Sequence, residues 1–244
     1  MTTTTAERRI QRVRHELMRR DVRVQHIERT SPGFLAITFA GETLRSFVSL
    51  SFDDHIKLII REPNGNTAMR DFTPLHFDTA RGELTLEFAL HAHGPACDWA
   101  RNARVGDEAI IGGPKGSMII PTDYEWHLLA GDASALPAIR RRLQELPEGS
   151  KALVIAQIPD VRDHVLPSSR GEVQVHWLAT APEFVDALRQ VELPAGEGFV
   201  WCAGEASVMA QTREVLLGER QLPREASRIS AYWKAGATDF HETL

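Results

Sequence analysis

Two patterns of apolar positions divide the chain near residue 121. Before it, short apolar runs alternate with polar residues at a period of two, the spacing of a half-buried strand. Val22-Arg23-Val24-Gln25-His26-Ile27, the turn Ser31-Pro32-Gly33 and the run Phe34-Leu35-Ala36-Ile37-Thr38-Phe39 predict a hairpin. His55 to Ile60 predicts a strand ending at the turn cluster Pro63-Asn64-Gly65-Asn66. The next strand carries Arg70 to Thr73, and Glu83 to Leu90 alternates cleanly. A short helix is expected around Asp98 to Ala103, a turn at Val105-Gly106-Asp107 and a strand over Glu108 to Ile111. Short strands, Gly/Pro turns and one short helix describe an antiparallel barrel.

After Pro121-Thr122-Asp123 the pattern changes to apolar strands alternating with amphipathic helices. Strands are expected over 125–130, 151–157, 172–178, 199–203 and 228–232. Helices are expected after Gly131-Asp132-Ala133-Ser134, over 182–190, and from Gly204-Glu205-Ala206-Ser207 to about Arg220. That order predicts a parallel, doubly wound sheet. Two domains follow: 1–121, a barrel whose residues 1–20 form a solvated basic arm with six arginines, and 122–244, an α/β domain with a C-terminal tail. The sharper reading of the arm is a dock for an anion or a partner.

Composition narrows the function classes. With 43% hydrophobic and 25% charged residues the chain is an ordinary globular protein, and a net charge of -5 argues against a dedicated nucleic-acid binder. No apolar run approaches the ~20 residues of a membrane span, and the N-terminus lacks a signal-peptide core, so a cytoplasmic location is expected. Cys97 and Cys202 stand far apart with no CxxC, which removes cysteine-ligated iron–sulfur and zinc-ribbon sites.

The chemistry concentrates in two stretches. Arg70-Asp71-Phe72-Thr73 offers a fixed cation, a flat ring and a hydroxyl, with Arg70 and Phe72 on one strand face and Thr73 on the other. His91-Ala92-His93-Gly94-Pro95-Ala96-Cys97 leads into a helix start with free backbone N–H groups. An arginine and a helix N-terminus are both ways of holding phosphate, so together they suit a pyrophosphate. In the second half GxGxxG is absent, yet Gly131 and Gly204 each join a strand to a helix where open parallel sheets bind ligands. Ser134 and Ser207 are candidate helix caps, and Asp132 and Glu205 either meet a ligand or complement a helix dipole. Gly112 to Ser117 reads as a tight barrel corner with Lys115 held outward, since a strand follows it and not a helix. His91 and His93 share a strand face without a third ligand nearby, and Asp53-Asp54-His55 reads as turn chemistry with a satisfied histidine. Lys57, Lys115 and Lys234 are lysines at strand and loop positions of an arginine-rich chain.

In their order and spacing these segments resemble the siderophore-interacting proteins, flavin-dependent ferric-siderophore reductases of the ferredoxin-reductase-like superfamily. The resemblance runs through Gly33-Phe34, Phe52 to Leu58, Arg70 to Pro74, His93 to Ala96 and Gly106-Asp107. It continues through Gly113 to Ser117, Ala135 to Ala138, Gly204 to Ser207 and Ala231 to Gly236. It implies an N-terminal Greek-key FAD-binding barrel and a C-terminal Rossmann-like domain for NADPH or NADH. Arg70, Phe72, Thr73, His91, Gly94, Pro95, Ala96 and Cys97 are then cofactor contacts in the first domain. Asp132, Ser134, Gly204, Glu205 and Tyr232 are those implied for the second. Phe72 replaces the family's usual Tyr, removing a hydrogen bond worth about 0.5–1.5 kcal/mol; Cys97 replaces a Ser, and Asp132-Ala133-Ser134 replaces Asp-Glu-Thr.

Lys57, Lys115 and Lys234 match the basic residues that receive an anionic ferric siderophore. The implied function is a cytoplasmic, monomeric reductase that releases Fe(II), with no protein acid or base required. The alternatives are a ferredoxin-coupled flavin reductase and a non-enzymatic siderophore-binding protein. A 2′-phosphate site for NADPH needs a cation near Asp160 to His164, where Arg162 stands.

Overall fold

The computed structural model describes residues 10–61, 65–90 and 94–237. It separates into two compact units, Met1–Pro121 and Thr122–Leu244. The Pro63-Asn64 part of the turn cluster expected after Ile60, and His91 and His93, lie outside the described residues.

In the first unit seven strands form one sheet: β2 (Arg19–Ser31), β3 (Phe34–Ala40), β4 (Ile56–Arg61), β5 (Thr67–Phe72), β6 (Pro74–Asp78), β7 (Glu83–Ala89) and β8 (Glu108–Gly112). Their order is β5-β4-β8-β2-β3-β7-β6, and every pairing is antiparallel. The edge strands β5 and β6 are consecutive and separated only by Thr73, so the chain itself brings the two edges together and curls the sheet into a barrel. Alternation works as the sequence suggests: Val22, Val24, Ile37, Phe39, Leu58, Ile60, Leu84, Leu86 and Phe88 all enter the core. Each such side chain contributes roughly 1.5–3 kcal/mol on full burial. The helix α1 (Pro95–Asn102) packs on β5 and β7, and its Trp99 stacks near Phe39 with ring centroids 6.1 Å apart.

Three expectations for this unit are corrected. β6 had no counterpart in the sequence reading. Among the described residues, 10–20 are no frayed arm: β1 (Gln11–Arg14) pairs with β9 (Gly116–Ile119), and β2 begins at Arg19. Arg20 is only 3% exposed. Its guanidinium donates to the carbonyls of Gly113 at 2.8 Å and Thr43 at 3.2 Å, over the Phe47 ring. The Asp53-Asp54 pair is turn chemistry, because Asp54 Oδ2 accepts from Ser49 Oγ, Leu50 N, Ser51 N and Ser117 Oγ, but His55 is exposed rather than satisfied in the core.

In the second unit the strands β10 (Trp126–Asp132), β11 (Lys151–Gln157), β12 (Glu172–Leu178), β13 (Gly198–Glu205) and β14 (Ser227–Trp233) form a parallel sheet in the order β12-β11-β10-β13-β14. The helix α2 (Leu136–Glu145) packs on β10 and β11, while α3 (Ala181–Gln190) and α4 (Ala206–Arg213) pack on each other and on the sheet. Thr180 and Glu183 close α3 with a reciprocal capping box. The final helix runs to Glu219 as expected, α-helical over Ala206–Arg213 and of π type over Glu214–Glu219. The order places the switch point between β10 and β13, where the chain leaves the sheet in opposite directions.

The core under α2 contains an ionisable pair. His127 is fully buried on β10, and Arg142 of α2 is 2% exposed. Burial, and then the Arg142 charge, push the imidazole down to about 3. The unfolded chain takes that proton near pH 6.5 and the folded one does not, so stability falls as pH drops below about 6.5, at about 1.4 kcal/mol per unit. We expect the stability of the wild type relative to His127→Leu to decline with that slope between pH 6 and 4.5 in urea titrations. Parallel curves would exclude a buried neutral imidazole.

Candidate functional site

The seam of the barrel places the first group of residues. On β5 the burial alternates so that Ala68, Arg70 and Phe72 turn inward while Met69 and Asp71 turn out. Phe72 packs on Phe88 with centroids 4.4 Å apart, yet it remains only partly buried, so part of its ring stays accessible. Arg70 is half-buried and donates to the Met69 carbonyl at 2.7 Å. Thr73, the residue that crosses from one sheet edge to the other, is buried.

The helix α1 lies against this strand. Gly94 is its N-cap, Pro95 occupies the first turn, and among the described residues no side chain caps its N–H groups. A helix start without a described cap, on a helix packed against the strand that carries an inward arginine, offers the two kinds of group that hold a dianionic pyrophosphate. Cys97, in the first turn of the same helix, donates from Sγ to the Ala89 carbonyl at 3.2 Å. Burial pushes the Cys97 thiol up, with the Arg101 charge acting in the opposite direction.

Two of the three lysines belong to the same unit. Lys57 lies between Gly112 of β8 and Asp71 of β5 in the ladder, and its Nζ pairs with Asp71 Oδ2 at 2.7 Å. Lys115 is exposed on the corner between β8 and β9, as the sequence suggested.

The second group lies at the carboxyl ends of β10 and β13. Asp132 is a junction of three elements. Its Oδ1 accepts from Ser134 N at 2.9 Å and Ser134 Oγ at 2.5 Å, and its Oδ2 accepts from Glu205 N at 3.0 Å and Trp233 Nε1 at 2.8 Å. Glu205 Oε2 accepts from the N–H groups of Ser207 and Val208 and from Ser207 Oγ, and Oε1 accepts from Ala235 N. Burial pushes the Glu205 carboxyl up, but the hydrogen bonds from Ser207, Ala235 and Val208 outweigh it and hold the group below the usual range. So Glu205 is the side-chain cap of α4, whereas Asp132 accepts from the turn at Ser134 ahead of α2, whose start has no side-chain cap. Neither Ser134 nor Ser207 caps a helix, and both serines instead donate to Asp132 and Glu205.

Glycine is required at both junctions. A Cβ on Gly131 would lie 2.2 Å from the Ala203 oxygen, and one on Gly204 would lie 2.7 Å from Asp132 Oδ2. Both glycines are buried, and they let the ends of β10 and β13 pack closely against Ala203, Ala135 and the Asp132 carboxylate. Tyr232 is half-buried with its ring edge-on to Trp201 at 6.2 Å, and Lys234 is exposed just beyond β14.

The turn after β11 carries further groups that could meet a nucleotide. Asp160 accepts from Arg162 N, and the Arg162 guanidinium grips the same carboxylate with Nη2 to Oδ2 at 2.6 Å. The His164 ring stacks on Trp177 at 4.5 Å and 5°. Arg140 of α2, buried at 6% exposure, donates to the Val165 carbonyl and anchors this loop to the helix. Neither the stack nor the buried arginine was anticipated; the polar triplet Arg140-Arg141-Arg142 carries no sign that it will face inward.

Comparison with known proteins agrees with both halves. A siderophore-interacting FAD-binding domain matches residues 23–68 and 62–118, and a siderophore-interacting protein model matches 124–236. The NADPH-dependent ferric-chelate reductase of Escherichia coli is 34% identical, over 92% of this chain and 96% of its own. The ferric vibriobactin reductase ViuB of Vibrio cholerae is 28% identical over 87% of this chain and 89% of its own. Among solved structures, a siderophore utilization protein from T. fusca superposes with a TM-score of 0.89 at 28% identity, covering 95% of this chain and 99% of that one. With an FAD-binding barrel and a parallel α/β unit matched along nearly its whole length, the chain belongs to the siderophore-interacting protein family.

Proposed function

We propose that the protein is a cytoplasmic, monomeric, FAD-dependent reductase that takes electrons from NADPH or NADH. Its substrate is Fe(III) in a siderophore or related chelate, and its product is Fe(II). The observation that carries this reading is the pairing of inward Arg70 and the accessible ring of Phe72 with the start of α1, which no described side chain caps. That set offers charge and N–H donors to a pyrophosphate and an apolar plane to a ring system. Bound FAD would supply the conversion of a two-electron hydride donor into the single electrons that Fe(III) accepts.

The protein's own part is binding and electrostatics. Arg70 and the α1 backbone hold phosphate, while Thr73 stands at the seam beside Phe72. The lysines receive an anionic chelate. Lys115 is exposed, and at Lys57 the substrate competes with the Asp71 carboxylate for the ammonium. Lys234 is the third cation of the set. Asp132 and Glu205 hold the ends of β10 and β13 in position for the nicotinamide nucleotide. Hard Fe(III) is held by oxygen ligands, and its reduction weakens that hold, so the metal leaves without a protein acid or base.

Arg162 is the group suited to a 2′-phosphate, since it follows β11 at the sheet's carboxyl edge and its exposed guanidinium can exchange Asp160 for a more highly charged partner.

Three measurements test this reading. Purified protein should show a flavin band that bleaches anaerobically on adding NADPH and returns on adding a ferric chelate; a colourless protein that takes up no FAD would refute it. In the same assay Arg70→Ala should weaken FAD binding by about tenfold or more, the loss expected for a charge-assisted contact. Replacing Lys57, Lys115 and Lys234 together with Ala should raise the apparent KM for ferric chelates while flavin content stays constant, and unchanged kinetics would remove the lysines from the substrate site. Finally, calorimetric titration with NADP+ and NAD+ should show that Arg162→Ala weakens only the former, by roughly tenfold, and equal losses for both nucleotides would reject a 2′-phosphate contact.

A further inference from the structure

Residues 11–20, expected as a basic arm, attach to the corner that carries Lys115. The β1 register places Arg14 opposite Gly116 and Val13 opposite Ser117. His15 N donates to the Lys115 carbonyl at 3.0 Å, and Gly113 N donates to the Met18 carbonyl at 2.9 Å. Arg20 then donates to the Gly113 carbonyl at 2.8 Å from a buried position. Side chains add a further tie, with His15 Nε2 2.8 Å from Ser117 Oγ, which in turn donates to Asp54 Oδ2 at 2.6 Å. The imidazole does not stand between the hydroxyl and the carboxylate, so this trio lacks the wiring of a hydrolase and acts as a clamp. Contact between strap and corner is close: a Cβ on Gly116 would lie 2.5 Å from the Val13 carbonyl oxygen.

A cation on a loose loop loses binding energy to the entropy of ordering it, whereas one mounted on a corner bonded at its backbone does not. We infer that residues 11–20 are a strap that positions Lys115, and that the strap thereby sets the affinity for the anionic ferric chelate. His15 and Arg20 are positioning residues and touch no substrate. The inference rests on Lys115 being a substrate cation, as proposed above.

The test uses the full-length flavoprotein with a ferric hydroxamate chelate. Gly116→Ala separates β1 from β9, His15→Ala removes the clamp, and His15→Gln restores a side chain able to reach Ser117. Gly116→Ala and His15→Ala should each raise KM about three- to tenfold. Under the same conditions kcat and FAD content should stay unchanged, tryptic cleavage after Lys115 should become faster, and His15→Gln should recover most of the loss. In a Lys115→Ala background the strap substitutions should add no further rise, because they act through that lysine. An additive rise there, or an unchanged KM in the strap variants beside a raised KM in Lys115→Ala, overturns the strap's role alone. An unchanged KM in Lys115→Ala removes the lysine from the substrate site and the inference with it. Should Gly116→Ala fail to fold, His15→Ala and its rescue decide the matter.

Discussion

The first unit depends on a topological constraint at Thr73. A seven-stranded sheet whose terminal strands are neighbours in sequence cannot stay flat, because one buried residue must span both edges. The turn at Thr73 draws the two edge strands together, and it fixes where function can go. The seam gathers Arg70 and Phe72 at one end of β5, with α1 packed against the same strand. Charge, ring and helix start are therefore positioned by the closure itself and not by flexible loops.

The second unit solves a related problem with hydrogen bonds. In its parallel sheet two strand ends are each followed by a helix whose first N–H groups need acceptors. Glu205 supplies them for α4, and Asp132 braces the turn that leads into α2. Asp132 also ties the end of β10 to the backbone of Glu205 and to Trp233 at the end of β14, so three strand ends are joined by one side chain. A carboxylate accepts several donors at once where a serine accepts fewer, which explains why the acidic residues and not the hydroxyls gather these bonds.

Much of this architecture is legible from alternation alone, because Phe34 to Phe39, Leu84 to Phe88 and the strands of the α/β unit bury one face or both. β6 was not legible. It opens with Pro74, only Pro74 and Leu75 are buried, and three polar or exposed positions follow. β1 was hidden for the opposite reason: its Gln-Arg-Val-Arg sequence reads as solvated, and it is held by backbone pairing that no side-chain pattern encodes. Buried Arg20 and Arg140 escape any local rule as well, since each is satisfied by carbonyls distant in sequence. For the candidate site, residue types and spacing pointed to phosphate, but that Glu205 and not Ser207 would cap α4, and that Lys57 would pair with Asp71, depended on neighbours that only the fold supplies.

The state of the two thiols bears on survival under oxidation. Ferrous iron released in the presence of dioxygen or peroxide generates oxidants beside the protein that released it. The thiolate is the form those oxidants attack, and both thiols are pushed toward the protonated form by burial: Cys202 within the core, and Cys97 at the helix start, where it also contacts a carbonyl. Cys97 thus carries its sulfur at the start of α1 shifted toward the protonated, less reactive form. A protein working in that chemistry gains an interior that resists the by-products of its own turnover.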